Sequence, residues 1–187
     1  MAQPTNEEAL AVADIAIDAG REILKYFGSD LHIDQKSDAS PVTIADKAAE
    51  AIITDRLRTE FPKTEILAEE AASSGCMPSL QWHDGPAFFL VDPLDGTKEF
   101  ISGSGEFTVN IAHITDGRPT FGTVVAPALN LAYLGVTGSG AWRASLDADG
   151  PVVWEEIACQ SCDEKRLTSV GSRSHGTNLA LVGGAFV

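Results

Sequence analysis

With 187 residues, 44% of them hydrophobic and 21% charged, the chain fits one domain with a real core and is too apolar for a disordered segment. Its formal net charge of −14 argues against non-specific binding to nucleic acid or to an anionic membrane, both of which would repel it. No apolar run approaches the ~20 residues of a membrane span. The acidic N-terminal stretch, with Glu7, Glu8, Asp14 and Asp18, has no signal-peptide core. A cytoplasmic location is expected, with peripheral association with the inner membrane as the alternative.

In chain order, Thr5-Asn6-Glu7-Glu8 reads as a capping box. Leu10, Ala13, Ile17, Leu24 and Phe27 then recur at helical spacing, and Gly28 is placed to end the helix. A polar loop is expected from Ser29 to Ser40. Thr43 to Glu60 reads as a second helix, with Ile44, Ala48, Ala51, Ile52 and Leu57 facing inward and Pro62 beyond its end. Glu65-Ile66-Leu67-Ala68 is a short strand ending at Glu69-Glu70, followed by a loop over 71–86. Further strands are predicted at Phe88–Asp92, Phe107–Thr115, Phe121–Ala126, Leu131–Thr137, Ala141–Ser145 and Val152–Ile157, and another begins in Arg166–Gly171. Turns such as Asp116-Gly117 and Gly138-Ser139-Gly140 separate the later ones, which predicts an antiparallel meander.

Several patterns carry little chemistry. The three cysteines, Cys76, Cys159 and Cys162, are an odd number and argue against a disulfide framework. Cys159-Gln-Ser-Cys162 has metal or redox spacing but no second pair, and is read as a chance spacing. Asp147-Ala148-Asp149-Gly150 is read as a hairpin turn, because Ser145 holds the first position of a calcium loop and the flanks are strands. His32, His83, His113 and His175 share no ligand spacing.

The chemistry concentrates in Asp92-Pro93-Leu94-Asp95-Gly96-Thr97-Lys98-Glu99-Phe100. Two carboxylates stand three residues apart, joined by a stiff proline, after the buried-strand run Phe88-Phe89-Leu90-Val91. Asp92 is expected at the strand's end, where a turn begins. Gly96 and Thr97 can open a helix with free backbone N–H groups. Carboxylates for a divalent cation beside N–H groups for an anion suit a phosphate-plus-metal site. A solvated Asp-Gly turn satisfies the same residues. Glu69, like Asp92, follows a strand, so adjacent strands would bring the two carboxylates together.

This stretch resembles Asp-Pro-Ile/Leu-Asp-Gly-Thr, the signature of the inositol monophosphatase superfamily of metal-dependent, lithium-sensitive phosphatases. Lys98-Glu99-Phe100 and Gly105-Glu106-Phe107-Thr108-Val109-Asn110-Ile111-Ala112 look like its bacterial 3'(2'),5'-bisphosphate nucleotidase branch, the CysQ-type enzymes. Lys36-Ser37-Asp38-Ala39-Ser40-Pro41-Val42-Thr43-Ile44-Ala45-Asp46 matches a further family block. The resemblance runs from the first helix to about His175.

The resemblance implies an α+β, inositol monophosphatase-like layered fold, of which this chain holds the N-terminal part: two helices packed on a largely antiparallel sheet. It implies that Glu69, Asp92 and the Leu94 carbonyl hold one Mg2+ ion and that Asp92 and Asp95 contribute to a second. Asp46 and the Thr97 hydroxyl would position or deprotonate a metal-bound water. Glu69, Leu94, Asp95, Gly96 and Thr97 would bind substrate, with the Gly96 and Thr97 N–H groups toward its phosphate. The implied reaction is magnesium-dependent hydrolysis of the 3'-phosphate of 3'-phosphoadenosine 5'-phosphate to AMP and phosphate, a step of sulfur assimilation and nucleotide recycling. An inositol-phosphate or other sugar-phosphate phosphatase is the alternative within the class, and an inactive metal- or nucleotide-binding remnant the alternative outside it.

Family members continue into a second α/β region whose Trp-Asp motif completes the second metal site. The last acidic residues here are Asp163 and Glu164. A C-terminally truncated member is therefore expected, with a metal-binding phosphatase region over 1–165 and the start of the absent region over 166–187. Loss of that region would expose apolar surface, with aggregation or homodimer formation as the consequence.

Overall fold

A computed structural model describes residues 3–28, 33–35, 41–69, 87–146, 150–159 and 161. Lys36–Ser40, Glu70, Cys76, Cys162, the Asp147–Asp149 turn, the Arg166–Gly171 strand and the expected boundary at 165 lie outside the described residues. The chain divides into two units, Met1–Ile157 and Ala158–Val187, and every element below belongs to the first.

Helix α1 spans Glu7–Leu24. Its N-cap is Asn6, one residue after the Thr5 of the expected capping box: Asn6 Oδ1 accepts from the Ala9 N–H at 2.9 Å. Asn caps as well as Thr does, and the shift leaves Glu7 and Glu8 in the first turn, where the helix dipole favours acids. The buried face is wider than the predicted stripe. Val12, Ala13, Ile15, Ala16, Ile17, Ala19 and Ile23 are buried, while Leu10, Leu24 and Phe27 pack at its margin. The helix stops at Leu24, about one turn before Gly28, which sits in a turn with φ +77°. Small residues let α1 approach the sheet closely. A Cβ on Gly20 would lie 3.2 Å from Pro127 Cβ and 3.3 Å from Val125 Cγ1.

Within the polar loop expected over Ser29–Ser40, Ile33–Gln35 forms strand β1; it pairs antiparallel with β2 (Pro41–Thr43), which takes Thr43, the expected first residue of the second helix, and sets Ile33 opposite Thr43. Three-residue strands are too short for periodicity to reveal. β2 runs directly into α2 (Ile44–Glu60). The buried line of α2 is Ala45, Ala49, Ile53 and Leu57, spaced by four, with Asp46 beside it. Of the residues expected to face inward, Leu57 does so, but the others fall off the buried line: Ile44 is 52% exposed, Ala51 is exposed, and Ala48 and Ile52 are half-buried. Hydrophobicity alone misplaces the line because apolar residues stand both on it, at Ala45, Ala49 and Ile53, and off it, at Ile44, Ala51 and Ile52.

The main sheet has seven strands in sequence order: β3 (Glu65–Ala68), β4 (Phe88–Asp95), β5 (Thr108–Thr115), β6 (Arg118–Ala126), β7 (Leu131–Val136), β8 (Gly140–Ser145) and β9 (Trp154–Ile157). All neighbours are antiparallel except β3 and β4, which run parallel with Ala68 opposite Val91. The predicted meander is therefore present from β4 onward. The helices pack side by side on one face, where Phe89, Val91, Val109, Ile111, Phe121, Val125, Leu134, Trp142, Ala144 and Trp154 form one core with them. Each fully buried large apolar side chain contributes about 1.5–3 kcal/mol. Leu90, Val124 and Tyr133 stand on the opposite face with 36–45% of their surface exposed.

A short helix, α3 (Thr97–Ser102), follows β4. Its one buried side chain is Phe100, which packs edge-on against Phe107 at 5.0 Å between ring centres, while Phe27 at the end of α1 lies 5.5 Å from Phe100 and 5.1 Å from Phe107. Six residues are too few to hold a helix in water. This aromatic trio supplies the anchorage, and so fixes where the α3 N-terminus points.

Candidate active site

Strand β4 does not end at Asp92, as the sequence suggested, but continues to Asp95 through a bulge. Asp92 pairs with Asn110 and Asp95 with Thr108, so three steps along β4 match two along β5. In a regular strand, residues an odd number apart face opposite ways. The extra residue cancels that alternation, so Asp92 and Asp95 follow the same face as Asn110 and Thr108. Pro93 and Leu94, between them, are both buried. Pro93, which has no N–H to offer a ladder, occupies the position where a bulge needs none.

The parallel pairing of β3 and β4 puts Glu69, one residue past Ala68, in step with Asp92. Burial raises the Asp92 carboxyl to about 7, helped by the charge of Glu69, by a hydrogen bond between the two side chains and by the charge of Asp95. The Leu94 N–H, donating to Asp92 Oδ1 at 3.2 Å, opposes the rise. Asp95 is exposed and its Oδ2 accepts from Asn110 Nδ2 at 3.3 Å.

Gly96 caps α3 with φ +92° and ψ 38°. Any Cβ there would lie 2.9 Å from the Glu106 carbonyl oxygen and 3.2 Å from Phe107 Cα, so both backbone conformation and space require glycine. Thr97 is the first helical residue. Its hydroxyl proton faces two acceptors at 3.2 Å, Asp46 Oδ1 and the Leu94 carbonyl. Asp46 is only 1% exposed, one of two buried polar residues among those described. It reaches Thr97 because β2 lies against α3 and delivers the first turn of α2 to the same place.

All seven residues singled out from the sequence thus lie within one neighbourhood: Asp46, Glu69, Asp92, Leu94, Asp95, Gly96 and Thr97. Among the described residues no three acidic, His or Cys side chains converge closely enough to enclose an ion as they stand. Glu69 and Asp92 are bonded to each other, and Asp95 is bonded to Asn110. The donor set nonetheless suits a hard divalent cation. Carboxylates held close enough to force one to retain a proton would be relieved by a positive charge, and each has oxygens to give. The sequence reading passed over Asn110. Its signal was a polar amide, poor in strands, among the apolar residues of β5.

The Inositol monophosphatase family model matches residues 5–180, and the chain belongs to that family. Among its relatives, the 3'(2'),5'-bisphosphate nucleotidase CysQ of Escherichia coli (strain K12) is 44% identical over 134 residues, which cover 71% of this chain and 52% of that protein. The histidinol-phosphatase of Mycobacterium tuberculosis is 38% identical over 143 residues, covering 76% and 51%. The chain spans about half the length of these two relatives. The crystal structure of CysQ from Bacteroides thetaiotaomicron superposes with a TM-score of 0.68 at 32% identity, covering 93% of this chain and 65% of that one. The inositol monophosphatase-like α+β fold follows from these matches and from the sheet and helices described above.

Proposed function

We propose that the chain carries the water-activating and metal-binding part of a magnesium-dependent phosphomonoesterase, and that its substrate is 3'-phosphoadenosine 5'-phosphate, cleaved to AMP and phosphate. The observation that carries this reading is the Thr97–Asp46 hydrogen bond, set beside three carboxylates at the C-terminal ends of β3 and β4. A hydroxyl alone is a poor base. A hydroxyl whose proton is already directed at a buried carboxylate can take a proton from water on its free lone pair while handing its own to Asp46.

Glu69, Asp92, Asp95 and the Leu94 carbonyl would hold the metal. The Leu94 oxygen has a second lone pair left after accepting from Thr97. When bound, Mg2+ supplies a more acidic water and neutralises charge on the phosphoryl group. The protein's own contribution is placement. The bulge sets Asp92 and Asp95 on one face, and Gly96 and Thr97 present backbone N–H groups beside them for phosphate oxygens. Water attacks directly, with no covalent enzyme intermediate.

The choice of substrate rests on similarity to CysQ nucleotidases and on the Lys98-Glu99-Phe100 continuation. A second reading, another phosphomonoester, is favoured by the 38% identity to a histidinol-phosphatase. Phosphate release from a panel comprising 3'-phosphoadenosine 5'-phosphate, inositol 1-phosphate and histidinol phosphate, with Mg2+ and with excess chelator, tests both. The nucleotide is expected to react fastest and only with metal. Preference for another ester would replace the substrate, and activity in chelator would overturn the mechanism.

A further inference from the structure

We infer that Asn110 is a positioning residue for the Asp95 carboxylate, holding it ready for a divalent cation. The inference rests on the metal-dependent reading above. Asn110 stands directly opposite Asp92 in the β4–β5 ladder. Because of the bulge, Asp95 is its diagonal neighbour on the same face, and diagonal side chains on adjacent strands lie within reach of each other. The amide uses that reach, donating from Nδ2 to Asp95 Oδ2 at 3.3 Å. Asp95 is exposed, so without this bond its carboxylate would sample several rotamers in water. With it, Oδ2 is tied to the amide and the carboxylate is held in one orientation, with Oδ1 left to serve as a ligand.

The residue type matters. A donor is needed, because a third carboxylate opposite Asp92 would add repulsion where two negative groups already crowd. A neutral donor is needed as well, because a lysine or arginine would compete with the cation for the same oxygens. An amide meets both conditions and also keeps Asp92 and Asp95 from being bridged by a side-chain cation. Partners that orient a metal ligand typically alter metal affinity by about 10- to 100-fold when removed.

The test uses the full 187-residue chain and a readout independent of turnover: Mn2+ binding followed by electron paramagnetic resonance, with Mg2+ competition. Asn110→Ala and Asn110→Val are compared, the second because valine suits a strand and protects against a folding failure. Both are expected to weaken Mn2+ binding about tenfold while leaving the metal-free melting temperature unchanged. Adding Asn110→Ala to Asp95→Asn is expected to cause no further loss, since the amide acts only through Asp95. Wild-type affinity in both Asn110 variants, or an additive loss in the double variant, would overturn the inference and leave the phosphatase reading standing. Absence of any Mn2+ binding that depends on Asp92 in the wild-type chain would overturn both.

Discussion

From β6 to β9 the sheet pairs in unbroken antiparallel register, and its inward positions are filled by Val125, Ala132, Leu134, Trp142, Ala144 and Trp154. At β4 the register slips between Asp92 and Asp95, a glycine is forced into the left-handed region, and the helix packed nearby buries a carboxylate. The β6–β9 side keeps its pairing throughout, whereas the β4 side brings together a bulge, a glycine with no room for a Cβ and a buried carboxylate. Departures of this kind cost free energy, and a chain retains them where they place something useful. The contrast separates what holds the molecule together from what it does, and it can be tested from either side.

The largest effect is expected at Asp46 and Thr97. Asp46→Asn keeps an acceptor for the Thr97 hydroxyl but cannot take its proton, and Thr97→Ala removes the relay. Each is expected to lower kcat by a factor on the order of 10²–10⁴. The double variant should be little worse than either single one, because the two act as a unit. Thermal unfolding should change little in Asp46→Asn, which keeps the shape of the side chain and an acceptor for the Thr97 hydroxyl at a position 1% exposed. Multiplying losses in kcat, or a large fall in melting temperature, would show that Asp46 belongs to the framework.

The mirror experiment sits on the regular side. Leu134→Ala in β7 removes a side chain that is 1% exposed in the middle of the core. It is expected to cost about 2–5 kcal/mol of stability, measured by denaturant unfolding, with kcat of the folded fraction unaltered. A matching loss of kcat would mean that the two sides are mechanically coupled.

Much of this contrast was legible in the sequence. Alternating apolar residues and Gly-containing turns give the strands of the meander, and the Asp92–Thr97 motif gives the position of the candidate site. The bulge was not legible. A continuous run from Phe88 to Leu94 with one proline reads equally as a strand that ends at Asp92, and only the register against Asn110 and Thr108 distinguishes them. The exact face of α2 escaped for a related reason, since apolar residues stand both on its buried line (Ala45, Ala49, Ile53) and off it (Ile44, Ala51, Ile52). Without the correct face, the burial of Asp46 could come only from family resemblance.

A third prediction concerns the turn that joins the two carboxylates to α3. Gly96→Ala must take up φ +92° and meets the Glu106 carbonyl at 2.9 Å. Conformational strain of this type costs about 1–3 kcal/mol. Relief requires moving Thr97 away from Asp46, so both melting temperature and kcat are expected to fall together. Gly138→Ala, at φ +77° in the hairpin before β8 with open space around it, should lower stability alone. Equal effects on kcat in the two variants would break the distinction.

The smallest effect is a difference in pH response between two groups on the same pair of strands. His113 is stacked 4.9 Å from Phe121 and lies 5.1 Å from Phe89, and burial lowers its pKa below the usual 6.5. The folded chain therefore holds this imidazole neutral, while the unfolded chain protonates it more readily. Its contribution to stability is present above the unfolded value of 6.5 and is lost as pH falls through the folded value. Asp92 works the other way. Its folded pKa of about 7 lies above the ordinary 3.8, so in the metal-free chain its contribution is full below 3.8 and is lost as pH rises through about 7. Between these limits the two groups oppose each other, and the wild-type pH profile should be flatter than either alone. His113→Phe, which keeps an aromatic ring against Phe89 and Phe121, is expected to leave the Asp92 trend exposed: stability rising as pH is lowered from 7 to 5. Asp92→Asn should reveal the His113 trend, with stability falling over the same interval. Saturating Mg2+ is expected to abolish the first trend and leave the second in place, because a cation competes with the proton at Asp92 and does not touch the stacked imidazole. Melting temperatures of the three proteins at pH 5, 6 and 7 decide the matter, and parallel profiles for the two variants would contradict the assignment of opposite signs.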